Sequence, residues 1–245
     1  MSAPVILITG GSRGIGAGTA KLAARKGYDV AISYVRDAEG AGKVAEEIRA
    51  AGRRAVAIRA NVSVEDDVTK LFEQVDTQLG RLDVLVVNGG VNGKPYRLAD
   101  APAAQIREVI DVNVTGAMLC AREGVRRMST RHGGKGGSIV LVSSRATEYG
   151  SPGEFVWYAA SKAAVNAFCL GLAREVGGEG IRVNAVSPGP IDTEMLSESR
   201  RAVVKDVVPL GRVGTPEEVG EAILFLASPA ASFCNGANLA VSGGR

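Results

Sequence analysis

The chain has little of several residues on which specialised chemistry rests. Its three cysteines, Cys120, Cys169 and Cys234, stand far apart in 245 residues. Their odd number and wide spacing match no ligand pattern, which excludes a disulfide framework and a zinc site. His132 is the only histidine; it follows Arg131 at a helix end, where cations suit the dipole, and reads as structural. An excess of one charge is missing too, since the net charge is +3. That balance leaves no electrostatic footprint for nucleic acid or an anionic membrane. No apolar run approaches the roughly 20 residues of a spanning helix. The opening MSAPVILITG has neither the basic start nor the apolar length of a signal peptide. These absences point to a cytoplasmic protein with no metal, membrane or nucleic-acid partner.

Glycine, by contrast, is in excess: 32 residues, close to twice the usual share of about 7 per cent. The 46% hydrophobic and 22% charged fractions are ordinary for a globular chain and exclude extensive disorder. Length alone suggests one to two domains at roughly 150 residues each. There is no Pro/Ser-rich linker and no internal repeat, and the glycine-rich stretch 132–137 is short enough for a connecting loop. A single domain over 1–245 is expected.

Short β-branched runs alternate with amphipathic stretches. Val5–Ile8, Val30–Ser33, Ala55–Ile58, Leu82–Val87, Ser138–Val142 and Ile181–Val186 read as strands. They are apolar nearly throughout, as parallel strands buried on both faces must be. Helices are expected near 14–26, 39–51, 65–79, 102–130 and 156–177. Ser63–Asp66 and Thr215–Glu218 have the form of capping boxes, the second with Pro216 at the first helical position. Gly27, Gly52 and Gly80 stand where helices should stop. The segment from Asn238 reads as a final edge strand, which a neighbouring subunit can cover. The alternation predicts an α/β fold, a single doubly wound Rossmann-type parallel sheet with helices on both faces.

The first strand runs directly into Thr9-Gly-Gly-Ser-Arg-Gly-Ile-Gly16. Gly10, Gly14 and Gly16 permit a tight turn, and the backbone around Ser12, Arg13 and Ile15 can approach a pyrophosphate at the helix N-terminus. The spacing G-x-x-x-G-x-G differs from the common dinucleotide fingerprint, but its place between first strand and first helix favours a dinucleotide. At the end of the second strand an acid would select NAD and an arginine NADP. Tyr34 holds the position expected of the acid, Arg36 follows, and Arg13 projects from the turn. Two guanidiniums and no carboxylate favour NADP(H) over NAD(H). Asp37 leaves alternatives open, since it can neutralise Arg36 or act as a displaced ribose ligand.

Tyr158-Ala-Ala-Ser-Lys162 sets a phenol and an ammonium on one helix face. A tyrosine is a poor acid–base group at neutral pH unless a fixed cation stabilises its phenolate. The preceding strand ends in Ser143-Ser144, and a serine there can hold a substrate oxygen beside the phenol.

With these motifs in this order, the sequence resembles the short-chain dehydrogenase/reductase family, in its compact branch, over essentially the whole chain. The resemblance makes Thr9–Gly16 the cofactor turn and Tyr158 with Lys162 the active pair. Ser144 matches the serine that hydrogen-bonds substrate. Asn113 matches the asparagine whose helix bend supports a water-linked proton path. Ser187–Thr193, with Pro188, Gly189, Ile191 and Thr193, matches the segment that holds the nicotinamide carboxamide. Asn61 and Val62 fall beside the adenine, and Asn88, Gly89 and Gly90 follow the fourth strand. Two departures stand out. Val87 replaces the first residue of the usual Asn-Asn-Ala-Gly, which affects hydrogen bonding beneath the cofactor. Asn61 replaces an aspartate, and its amide oxygen can still meet the adenine amino group.

The resemblance implies hydride transfer between nicotinamide C4 and a carbonyl carbon, interconverting a ketone or aldehyde and an alcohol. Tyr158 is then the general acid/base, Lys162 lowers its pKa, Ser144 orients the carbonyl and Asn113 links the proton path to solvent. The expected pocket walls are 91–97, 145–157 and 194–210, with a substrate lid over about 191–212. Trp157 is either a pocket aromatic or a packing residue. The family's habit implies a homotetramer. An alternative is a non-catalytic NADP-binding regulator that keeps the fold, although such a protein has no need of the proton donor.

Overall fold

The apolar runs become strands because both of their faces are covered. The computed structural model describes residues 3–245, the side chains of Ser199 and Arg200 excepted; the reading of Met1 and Ser2 lies outside it. Strands β1 (Val5–Ile8), β2 (Asp29–Tyr34), β3 (Ala55–Arg59), β4 (Val84–Val87), β5 (Gly137–Val142), β6 (Ile181–Pro188) and β7 (Asn238–Val241) form one sheet. Its order is β3-β2-β1-β4-β5-β6-β7, and every pairing is parallel. Alternate residues feed opposite layers. Leu7, Leu85, Ile139, Leu141 and Val183 face one hydrophobic cluster, while Ile6, Ile8, Val84, Val86 and Val140 face the other.

The first layer is covered by α3 (Glu65–Leu79), α5 (Gly116–Met128) and α7 (Val156–Val176), the second by α1 (Gly14–Arg25), α2 (Ala38–Ala50) and α10 (Pro216–Ala227). Shorter pieces complete the chain: α4 (Ala103–Ile110), α6 (Ala146–Tyr149), α8 (Glu198–Ala202) and α9 (Val204–Val207). Among the described residues no helix is long and apolar enough to cross a membrane, and no group of three or more metal-ligating side chains gathers.

Two local expectations fail for identifiable reasons. The single helix expected over 102–130 is broken by a π-helical turn at Asp111–Thr115, around Asn113, where the resemblance to the family implies a bend. Asn113 is held there through both polar atoms of its side chain by the backbone of Val91. Gly116 packs so closely on Val62 that a Cβ would lie 2.9 Å from its carbonyl oxygen. The Ser63 capping box also does not form. Helix α3 begins at Glu65 with Val64 at the cap position and no side-chain cap. The Ser63 hydroxyl and amide instead both donate to Asn61 Oδ1, at 2.9 and 3.1 Å. The Thr215 box forms as expected, and Gly27, Gly52 and Gly80 adopt positive φ at helix ends.

Strand order reverses between β1 and β4, because α1 and α2 carry the chain one way and α3 returns it to the other side of β1. In such sheets a crevice opens beyond the carboxyl ends of the strands at that point. Thr9 after β1 and Asn88 after β4 meet there.

Candidate active site

The crevice begins with two turns locked together. Thr9 Oγ1 accepts from the amides of Asn88 and Gly89, both at 3.0 Å. Asn88 Nδ2 donates back to the carbonyls of Thr9 (2.9 Å) and Gly10 (3.0 Å). Thr9, Asn88 and Gly89 thus carry the cross-link between them, and Val87 is simply a buried strand residue. Gly10 has φ +65°, and a Cβ on it would sit 2.9 Å from Gly89 Cα. A Cβ on Gly16 would lie 2.3 Å from the Gly10 carbonyl oxygen. No side chain larger than hydrogen fits at either place.

Helix α1 starts from this turn without a cap. Arg13 is extended at the N-cap position and supplies no side-chain acceptor, and the first turn holds no acidic residue. Its leading amides have no partner within the helix, as at every helix start, and an anion suits them. A cleft of about 670 Å³ adjoins the turn, lined among others by Ser12, Arg13, Gly14, Lys43, Thr193 and Glu194. Glycine backbone, a bare helix N-terminus and nearby cations fit a dinucleotide phosphate. Ile15 is half-buried in the same first turn.

The second strand ends beside this turn, since the Gly11 amide donates to the Ser33 carbonyl at 2.8 Å. Tyr34 is half-buried and Arg36 exposed. Asp37 caps α2: its Oδ1 accepts from the Gly40 amide at 2.8 Å. Asn61 lies beyond β3 and buried Val62 follows it. The Ser63 amide can only donate, so the Asn61 oxygen faces inward to Ser63. That oxygen, the atom expected to meet the adenine amino group, already accepts from both the amide and the hydroxyl of Ser63.

The catalytic candidates gather on α7, the end of β5 and the π-turn. Lys162 is 4% exposed; its Nζ donates to the Val142 carbonyl at 2.8 Å and lies 5.9 Å from the Tyr158 ring centre. Burial lowers its pKa to about 8. Gly90 stands next to this ammonium and to Asn113 Oδ1, which a Cβ would approach to 3.3 and 3.2 Å. Ser143 Oγ donates to the Lys162 carbonyl, so the strand end is tied to α7. Ser144 Oγ accepts from the Ala146 amide at 3.1 Å. Asn113 Nδ2 also donates to Ser161 Oγ at 3.0 Å, and that hydroxyl donates to the Tyr158 carbonyl at 2.7 Å. Ser161 and Val142 escaped the sequence reading, although Ser161 stands three residues after Tyr158 inside the motif itself.

Beyond β6, the Gly189 amide donates to Val241 at 3.0 Å, which fixes the Pro188–Gly189 turn at the sheet edge. Ile191 is buried and bridges to Gly214. The Thr193 methyl reaches the glycine turn, 3.2 Å from where a Gly14 Cβ would be. The 191–212 stretch is pinned at its far end by the C-terminal residues: the Leu210 amide donates to Gly243 at 3.1 Å, and a Cβ on Gly244 would press on Pro209. Gly243 and Gly244 thus pack against residues 208–210 of their own chain. Trp157 is 4% exposed and donates to the Asn92 carbonyl at 3.0 Å, so it packs beneath the 91–97 loop. His132 is exposed on the connection entering β5, at the opposite end of the sheet.

Comparison with known proteins agrees with this architecture. A family model described as enoyl-(acyl carrier protein) reductase matches residues 10–245. The uncharacterized oxidoreductase YgfF of Escherichia coli K12 is 43% identical, over 98% of this chain and 99% of its own. The cis-4-hydroxycyclohexanecarboxylate dehydrogenase of Sinomonas cyclohexanicum is also 43% identical, over 98% and 95%. A short-chain dehydrogenase of Burkholderia cenocepacia J2315, solved in complex with NADP, superposes with a TM-score of 0.92 at 34% identity, covering 99% and 98%. With the reversal-point crevice, the glycine turn and the Tyr158–Lys162 helix in one frame, the chain belongs to the short-chain dehydrogenase/reductase family of oxidoreductases.

Proposed function

We propose that this oxidoreductase uses NADP(H) to interconvert a ketone or aldehyde and an alcohol, with Tyr158 as general acid/base. The observation that carries the reading is the buried Lys162 ammonium beside the Tyr158 ring, its Nζ anchored on the Val142 backbone carbonyl. A cation so poorly solvated gains from a phenolate nearby and favours proton loss from tyrosine. When bound, the nicotinamide supplies or accepts the hydride. Tyr158 then delivers a proton to the developing alkoxide, or removes one in the oxidative direction. Ser144 turns the carbonyl oxygen toward the phenol, and the Asn113–Ser161 pair leads the proton path away from it. Gly10, Gly14 and Gly16 would hold the pyrophosphate, with Arg13 and Arg36 on the 2′-phosphate. Asn88 and Gly90 would lie under the nicotinamide side, and Pro188, Gly189, Ile191 and Thr193 at the carboxamide.

The NADP complex of the Burkholderia relative supports the choice of dinucleotide, as do Arg13 on the glycine turn and Arg36 after β2. The 191–212 stretch serves as substrate lid, and the exposed β7 edge as an assembly surface for a homotetramer. The relative that oxidises a cyclic hydroxy acid suggests including 4-oxocyclohexanecarboxylate beside ketones, aldehydes, quinones and β-ketoacyl thioesters in an NADPH-oxidation screen. On the best substrate, Tyr158→Phe should lower turnover by about 10²–10⁴-fold while NADPH binding stays within about two-fold of wild type. Retained turnover in that variant would contradict the proposed role of Tyr158.

A further inference from the structure

Arg13 does not reach the cleft as a free cation. Its Nη1 lies 2.5 Å from Oε2 of Glu194, and both side chains are largely exposed, at 65% and 71%. The two residues are 181 positions apart, one on the glycine turn and one on the connection after β6. They line the same cleft. The neighbouring cations have their own carboxylates: Lys21 pairs with Glu47, Lys43 with Glu39 and Arg201 with Asp192. Glu194 alone is set against the guanidinium on the phosphate-binding turn.

We propose that Glu194 is a cofactor-specificity residue that opposes the 2′-phosphate. The inference rests on the NADP(H) reading and deepens it. A phosphate monoester carries nearly two negative charges at neutral pH, so on approaching Arg13 it must share or displace the carboxylate. Either way two anions converge on one cation. A dinucleotide without the phosphate leaves the Arg13–Glu194 pair intact and is indifferent to it. Glu194 therefore moderates the preference for NADPH over NADH that Arg13 creates. Because the pair is exposed, the moderation is small and screened by salt.

The test measures dissociation constants of NADPH and NADH by cofactor fluorescence, on the intact protein. Wild type, Glu194→Gln, Glu194→Lys, Arg13→Ala and the Arg13→Ala/Glu194→Gln double variant are compared at low and high salt. Glu194→Gln should tighten NADPH by about two- to five-fold and leave NADH unchanged, with Glu194→Lys moving further in the same direction. The gain should vanish in the Arg13→Ala background and shrink in high salt. Weaker or unchanged NADPH binding in Glu194→Gln, equal shifts for both cofactors, or a gain that survives without Arg13 would overturn the inference. Equal wild-type affinities for the two cofactors would count against the NADP(H) reading itself, and are seen before any variant is compared. Failure of both to bind would overturn the two together.

Discussion

Helices α1 and α10 lie side by side, close enough that a Cβ on Gly18 would stand 2.8 Å from Pro216, yet their N-termini are finished in opposite ways. At α10, Thr215 Oγ1 accepts from the Glu218 amide at 3.2 Å and Glu218 returns the bond to the Thr215 amide at 2.8 Å. Arg212 forks onto both oxygens of Glu218, at 2.9 and 2.6 Å. These bonds, the Arg212 guanidinium first, hold the Glu218 carboxyl down to about 2. The other end of α10 is closed as well: Arg182 donates to the carbonyls of Leu226, Ala227 and Ser228, and to those of Ala231 and Cys234. Helix α1 has no cap, no acid in its first turn and a cleft in front of it. Two helices face the same physical requirement for acceptors at their leading amides. One meets it from its own chain; the other is left uncapped, facing the cleft where the dinucleotide is proposed to bind.

The largest expected break in this contrast is Gly16→Ala. Its methyl would collide with backbone at Gly10, so the turn must open and the leading amides lose their aim. NADPH affinity should fall about a hundred-fold, the loss of one or two charge-assisted hydrogen bonds, as read by calorimetric titration. Unchanged affinity would show that this turn does not hold the phosphates. Next is Arg182→Met, which strips the donor from five carbonyls and should cost about 3 kcal/mol in urea unfolding. NADPH affinity of the folded variant should be unaffected. Thr215→Ala removes only a cap, worth about 1 kcal/mol and roughly 2–4 °C in Tm, again with unaltered cofactor binding. A larger loss of NADPH affinity here than in Gly16→Ala would invert the comparison. The smallest effect is the titration of Glu218. Its folded pKa is depressed, so its contribution is present above the unfolded value near 4.5 and fades as pH falls toward about 2. The stability gap between wild type and Glu218→Ala should therefore narrow between pH 6 and pH 3 in matched urea titrations.

The same contrast explains what could be read in advance. Doubly buried strands such as Val84–Val87 and Ile139–Val142 declare themselves because each residue must be apolar whichever face it meets. The Thr215 cap is legible because all its parts lie within four residues. Tyr158, Lys162, Ser144 and Asn113 are legible as motif residues. What holds them is not, because the Val142 carbonyl, the Val91 backbone and Ser161 act through contacts made only on folding. The π-turn at Asp111–Thr115 depends on Asn113 meeting a loop 22 positions away, and no local periodicity encodes that. Ser63 had the right neighbours for a cap, but Asn61 captured its hydroxyl. Arg13 was legible as a cation, whereas its pairing with Glu194 joins the two ends of the fold.

The α1 N-terminus is open where the dinucleotide is proposed to bind, while that of α10 is closed by its capping box. Amide hydrogen exchange, followed by mass spectrometry with and without saturating NADPH, tests both ends in one experiment. The account predicts strong slowing of exchange across residues 9–18 and no change across 214–220. Equal protection of the two segments, or none at 9–18 under conditions where NADPH is bound, would contradict it.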